Sequence, residues 1–217
     1  MTRANWRSLL VAMFAVLAAY PAVLVAQQDG RETPGKIDVL LTTAPTLSKT
    51  ARAAMLSEAA ALWRHYGVIL EWLPPTALRP VASNRLRVLV VQKRLAVDGP
   101  EQPVPVGELL RPPKGHPVAL ISIEGAQRLM SSVRGRAGYE LITIDERRLG
   151  IVLGRALAHE IGHYLLDTHT HASIGLMRPN FNALEFTDLR NGTFALDHAA
   201  AAWLRTRDVE KFTYARR

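Results

Sequence analysis

The chain has 217 residues, enough for one domain with a real core and too few for two comfortable ones. It contains no cysteine, which excludes disulfide staples and lipid attachment through an N-terminal cysteine; stability must come from packing and from any bound metal. The formal net charge is +8, but the arginines (Arg52, Arg64, Arg79, Arg85, Arg87, Arg134, Arg136, Arg147 and Arg148 among them) are scattered, so the pattern predicts a solvated basic surface and no nucleic-acid partner.

Residues 1–26 open with Arg3 and Arg7, run uncharged from Ser8 and reach small residues near Ala26, the pattern of a secretory signal peptide. Cleavage there would place the protein in the secreted or periplasmic, cell-envelope space. The same run is almost long enough to span a bilayer, so an uncleaved N-terminal anchor is the alternative and the one expected membrane contact; Pro21 and the alanine-rich end favour cleavage. Loss of residues 1–26 removes two arginines and no acid, leaving a mild basic excess. Residues 27–35 then read as a linker and 36–217 as a single catalytic-sized domain, expected to be monomeric.

KIDVLLTT (36–43) is a short branched apolar run that suits a buried strand. The alanine-rich stretch 46–67 has apolar residues Ala54, Met55, Ala59, Leu62, Trp63 and Tyr66 near helical spacing, and Gly67 fits its stop. VILEWLP (68–74) and NRLRVLVVQK (84–93) read as further strands. Residues 96–116 carry five prolines and three glycines without periodicity, which predicts a long surface loop. PVALISIE (117–124) is the next strand, residues 124–138 a short helix followed by a glycine-rich loop, and YELITI (139–144) a brief strand or lead-in.

A T-x-x-E capping box at Thr143 and Glu146 predicts the start of a helix that runs, without proline, to about Leu166. An irregular stretch to about Gly192 and an alanine-rich C-terminal helix over 193–212 complete the chain. The order of elements describes an α/β sandwich on a mixed sheet.

The long helix carries the chemistry. In AHEIGHYLLDTHTHASIGLMRP (158–179) four of the chain's seven histidines fall within thirteen positions. His159 and His163, four apart, share one helix face one turn apart, so both imidazoles can reach a single cation. Glu160 beside them suits a general base that takes a proton from the attacking water and delivers it to a leaving amine. Val152 and Ala156 continue the histidine face, while Leu157, Ile161 and Leu165 form an adjoining stripe that anchors the helix in the core. Gly150, Gly154 and Gly162 predict close approach by a strand or another helix. The pentapeptide H-E-x-x-H alone arises by chance in about one chain per hundred of this length. Here it lies on a well-marked helix, followed by two more histidines and a tight Gly175-Leu176-Met177.

These residues resemble the metzincin metallopeptidases, whose pattern is H-E-x-x-H-x-x-G-x-x-H followed by a methionine in a tight turn. The resemblance is specific from about Leu153 to Arg178. It implies a zincin-like α/β (α+β) sandwich with a mixed, mostly parallel twisted sheet, a long active-site helix and a C-terminal helix. It further implies one catalytic zinc ion on three histidines, Glu160 as general base, and Met177 as a hydrophobic floor that does not bind the metal.

One position departs from the pattern. Where metzincins carry the helix-ending glycine this chain has Leu166, a residue ill suited to the left-handed conformation; Asp167 tolerates it better. A turn displaced by one residue advances the helix end by about 1.5 Å and rotates it by about 100°. Two candidates for the third ligand follow: His169, at the standard spacing, and His171, which suits a turn at Asp167 and is preferred. Glu185 is a more distant candidate, Tyr164 reads as a packing residue, and His65, His116 and His198 as surface or cap residues.

The leading expectation is an exported zinc-dependent metalloendopeptidase acting on a peptide or protein aligned along a sheet edge, beside VALISIE. The alternatives are a non-catalytic exported metal-binding protein, whose site both His169 and His171 would close, and a zinc hydrolase of non-peptide amides.

Overall fold

Nine residues, GKIDVLLTT, form the first strand, β1 (Gly35–Thr43), with Ile37, Val39 and Leu41 buried in alternation. The computed structural model of the protein describes residues 35–77, 84–93, 105–134, 145–181, 183–188 and 194–206, all within the unit Thr33–Arg217; the expected signal peptide and most of the expected linker lie outside them.

β1 has a parallel neighbour on each side, β2 (Val68–Leu73) and β3 (Arg85–Val91). The short β4 (Gly107–Leu110) pairs antiparallel with β5 (Val118–Ser122), which is parallel to β3, giving a five-stranded, mostly parallel sheet in the order β2-β1-β3-β5-β4. Two expectations change here. The stretch 96–116 is not wholly loop, because it contains β4; and VALISIE supplies an interior strand, so the edge belongs to β4. Four residues are too few to show periodicity, and the flanking Pro105 and Pro112 are tolerated at an edge, where one side of the backbone has no partner strand.

Helix α1 (Lys49–Arg64) begins at Ser48, whose side chain accepts from the Ala51 N–H, and buries Ala51, Met55, Ala59 and Trp63, one residue in every four. After β5 comes α2 (Ile123–Arg134). The central element is α3 (Glu146–Leu165), buried at every position from Leu149 to Leu165 except His159, which is half-buried. Its N-cap is Asp145, whose side chain accepts from the Arg148 N–H, rather than Thr143, which lies outside the described residues, as does YELITI. An aspartate directly before the first helical residue meets the same orphan donors that the capping box was expected to serve.

α1 packs along α3, and two glycines allow it. A Cβ on Gly150 would lie 2.3 Å from the Ala51 carbonyl oxygen, and one on Gly154 would lie 2.7 Å from that of Met55. The expected close approach at these two positions is therefore by another helix. Arg155, fully buried on α3, joins the layers: its Nε donates to Glu58 of α1 at 2.9 Å, its Nη1 donates to the Phe186 carbonyl at 2.9 Å, and its guanidinium lies 4.4 Å over the Phe194 ring.

The stretch after α3 is not wholly irregular, since Ala183–Thr187 forms a single short helix, α4. The C-terminal helix α5 (His198–Thr206) starts later than the alanine content predicts, where the Asp197 side chain accepts from the Ala200 N–H; residues from 207 onward lie outside the described set. The basic residues are not all solvated either: Arg85 is buried and pairs with Asp38 at 3.5 Å. Among the described residues no helix is long and apolar enough to cross a membrane.

Candidate metal centre

The site is assembled by the end of α3 and the chain that returns past it. α3 closes in a Schellman-type turn: the Thr168 N–H donates to the His163 carbonyl at 3.3 Å and the Asp167 N–H to that of Tyr164 at 3.4 Å. The left-handed residue is Asp167, with φ of 47°, while Leu166 stays right-handed with φ of −79°. Leucine at the usual glycine position thus extends the helix by one residue, and aspartate takes the conformation that leucine resists.

That displacement fixes the first ring. The Thr168 carbonyl, delivered by the turn, accepts from His163 Nδ1 at 2.9 Å. A second turn fixes the other: Gly175, with φ of 75°, opens a tight turn in which the Arg178 N–H donates to the Gly175 carbonyl, and the Leu176 carbonyl accepts from His159 Nδ1 at 2.7 Å. The Leu176 N–H is itself held by the Ala195 carbonyl at 2.7 Å.

A carbonyl oxygen only accepts, so each imidazole carries its proton on Nδ1 and leaves Nε2 bare. The two Nε2 atoms face each other at 3.0 Å. Two lone pairs so placed repel unless a cation joins them. His171 completes the group, its ring stacked on His159 at 5.3 Å and edge-on to His163 at 4.8 Å, with ligand nitrogens of the three residues within 4.8 Å of one another. Neutral nitrogen donors in this number fit a zinc-type ion and leave a fourth position open. Burial lowers the pKa of all three histidines, that of His163 to about 4, which keeps their donor atoms unprotonated near neutrality.

The structure brings His171 to the helical pair and leaves His169, exposed on the cleft rim, outside the three-nitrogen group. Glu185 is elsewhere, its carboxylate engaged by Arg178 at 3.1 Å. Tyr164 is buried in the core. His65 packs edge-on against Tyr66, and His198 is exposed at the start of α5. Met177 is buried against α3, its sulfur 2.2 Å from where a Cβ on Gly162 would stand, so the third helical glycine makes room for that side chain. Trp63 supports the same spot, donating from its indole to the Ala158 carbonyl at 3.1 Å.

Glu160 is buried against the sheet edge. Burial, with the Glu108 charge adding, pushes its pKa up to about 8, opposed by a hydrogen bond from the Leu109 N–H. A Cβ on Gly107 would lie 2.8 Å from Glu160 Oε1, so only glycine lets β4 approach this closely. The Ser122 N–H donates to the Val106 carbonyl, and in an antiparallel ladder this directs the backbone groups of Gly107 and Leu109 away from β5. They border a cleft of about 680 Å³ that opens over the histidines and is lined farther along by Leu129, Phe181 and Phe186.

Sequence reasoning missed Gly107, Leu109 and Arg111, which lie in or beside a four-residue strand too short to show periodicity, and Arg155, which nothing in its neighbourhood sets apart from a surface arginine.

No family model matches the chain, and no curated protein matches it. Among solved structures, an archaemetzincin from Methanopyrus kandleri is similar to 81% of this chain and 96% of its own, at 14% sequence identity and a TM-score of 0.47. A likeness that distant assigns neither activity nor site residues.

Proposed function

We propose that the protein is a zinc-dependent metallopeptidase in which His159, His163 and His171 hold one catalytic ion and Glu160 is the general base. The observation that carries this reading is the convergence of two bare Nε2 atoms at 3.0 Å, each ring locked through Nδ1 to a backbone carbonyl, with a third imidazole beside them. Zinc held there supplies Lewis acidity toward a substrate carbonyl and toward a water.

The chain's own residues do the rest. Glu160, steadied by the Leu109 N–H, takes a proton from the attacking water and passes it to the departing amine. A nearby cation favours its carboxylate form, which offsets the burial that raises its pKa. Gly107 keeps the strand close to the base, and its backbone groups, which face away from β5, are where an extended peptide pairs with β4 across the cleft, while the Leu109 N–H stays with Glu160. Met177 is the apolar floor and binds no metal. In this reading the enzyme works as a monomer in the secreted or periplasmic space after loss of residues 1–26, as the N-terminal pattern suggests.

A non-catalytic, four-histidine site fits less well, because His169 stands outside the three-nitrogen group and a closed site has no use for Glu160. A hydrolase of non-peptide amides would use the same residues and is separated by substrate alone. The test is metal content and cleavage of a broad peptide library by the purified protein and by Glu160→Ala. Loss of cleavage with zinc retained supports the peptidase reading; zinc in both forms and no cleavage by either overturns it.

A further inference from the structure

Arg111 follows directly on β4 and reaches to the end of α3. Its Nη2 donates to the His163 carbonyl at 2.6 Å and its Nη1 to Asp167 Oδ1 at 2.5 Å. One guanidinium thus grips the Schellman-type turn at both ends: the carbonyl of a helical histidine where the turn begins, and the carboxylate of the left-handed residue at its apex. The same turn delivers the Thr168 carbonyl to His163 Nδ1, and only two residues, His169 and Thr170, separate it from His171.

The direction in which the chain leaves α3 decides which histidine reaches the pair. A change of one residue in the helix end rotates the exit by about 100°. Asp167 adopts a conformation that costs a non-glycine residue, and the Arg111 side chain, 15% exposed, is placed to hold it there. The Asp167 side chain is 56% exposed, so the ion pair contributes little to overall stability. Its effect belongs to geometry. The contact also ties the end of β4 to the metal helix, while Gly107 and Leu109 of the same strand lie against Glu160.

We propose that the Arg111–Asp167 clasp is a positioning device that directs His171, rather than His169, to the His159–His163 pair and keeps the edge strand in register with it. This rests on the metal-site reading above.

Asp167→Gly separates a clasp from a mere turn, since glycine takes the left-handed conformation more readily than aspartate but has no carboxylate for Arg111. Zinc affinity is measured by chelator competition in the wild type, Arg111→Gln and Asp167→Gly, alone and combined with His171→Ala or His169→Ala. Expected is an affinity loss of about 10- to 100-fold in both single variants, with the melting temperature of Asp167→Gly in the absence of metal no lower than wild type. The Arg111→Gln loss should shrink in the His171→Ala background, where only its effect through His163 remains, and persist in full in the His169→Ala background. Wild-type affinity in Asp167→Gly, or an Arg111→Gln loss undiminished by His171→Ala, overturns the clasp. If Arg111→Gln fails to fold, Asp167→Gly carries the test. If the wild type binds no zinc, the proposed function fails, and the clasp is judged by solvent exchange of the His163 Nδ1 proton in the metal-free chain: faster exchange in Asp167→Gly supports it, unchanged exchange overturns it.

Discussion

Gly162 and Met177 are in such close contact that a Cβ on the glycine would stand 2.2 Å from the methionine sulfur. Helix propensity alone would favour alanine at this position by about 1 kcal/mol. Packing decides the sign, because Met177 follows Leu176, whose carbonyl orients His159. Gly162→Ala should therefore lower stability by about 1–3 kcal/mol and weaken zinc binding as the Leu176 carbonyl shifts. Met177→Leu, nearly volume-conserving, should cost less than about 1.5 kcal/mol. Denaturant unfolding and chelator competition on both variants check this; a stabilised Gly162→Ala that binds zinc normally would contradict it.

Gly150 and Gly154 make the same argument without the site. Both stand where the α1 backbone passes, and Gly150→Ala would bring a methyl to 2.6 Å from the Ala54 Cβ as well. Overpacking of about 1–3 kcal/mol should exceed the helix-propensity gain, so Gly150→Ala and Gly154→Ala unfold at lower denaturant than wild type.

Glu160→Gln preserves shape and removes the base. It should retain zinc and lose about 10²- to 10⁴-fold in kcat, with KM little changed. Retained turnover would remove Glu160 from the chemistry.

The buried ionisable groups set a pH optimum for the stability of the metal-free chain. The Glu160 pKa is raised from 4.5 to about 8, so between those values the folded chain holds a proton that the unfolded chain has released, and stability falls as pH rises through that window. The His163 pKa is lowered from 6.5 to about 4, with His159 and His171 lowered in the same sense, so stability falls as pH drops below 6.5. Together these groups place the maximum near pH 6.5. Melting temperatures measured in chelator across pH 4.5–8.5 should peak there, and Glu160→Gln should abolish the alkaline decline. A wild-type profile that keeps rising to pH 8 would contradict this.

The parts of the fold legible in the sequence were those whose pattern is local. Helical spacing marks α1 and α3, branched apolar runs mark β1, β2, β3 and β5, and the leucine at position 166 pointed to a turn displaced onto Asp167, where the structure has it. What could not be read depends on partners remote in sequence. β4 is four residues long and is a strand only because β5 lies beside it. Arg155 and Arg85 look like surface arginines until Glu58, ninety-seven residues from Arg155, and Asp38, forty-seven residues from Arg85, are brought to them. Arg111 acquires its role only when the edge strand is laid against the end of α3.

The central claim is that one ion is held by His159, His163 and His171. Zinc affinity and peptide cleavage of His171→Ala against His169→Ala, measured side by side on otherwise identical protein, test it most directly. The account predicts that His171→Ala loses more than about 100-fold in affinity together with cleavage, while His169→Ala keeps both near wild type. Equal losses in the two variants, or the larger loss in His169→Ala, would contradict it.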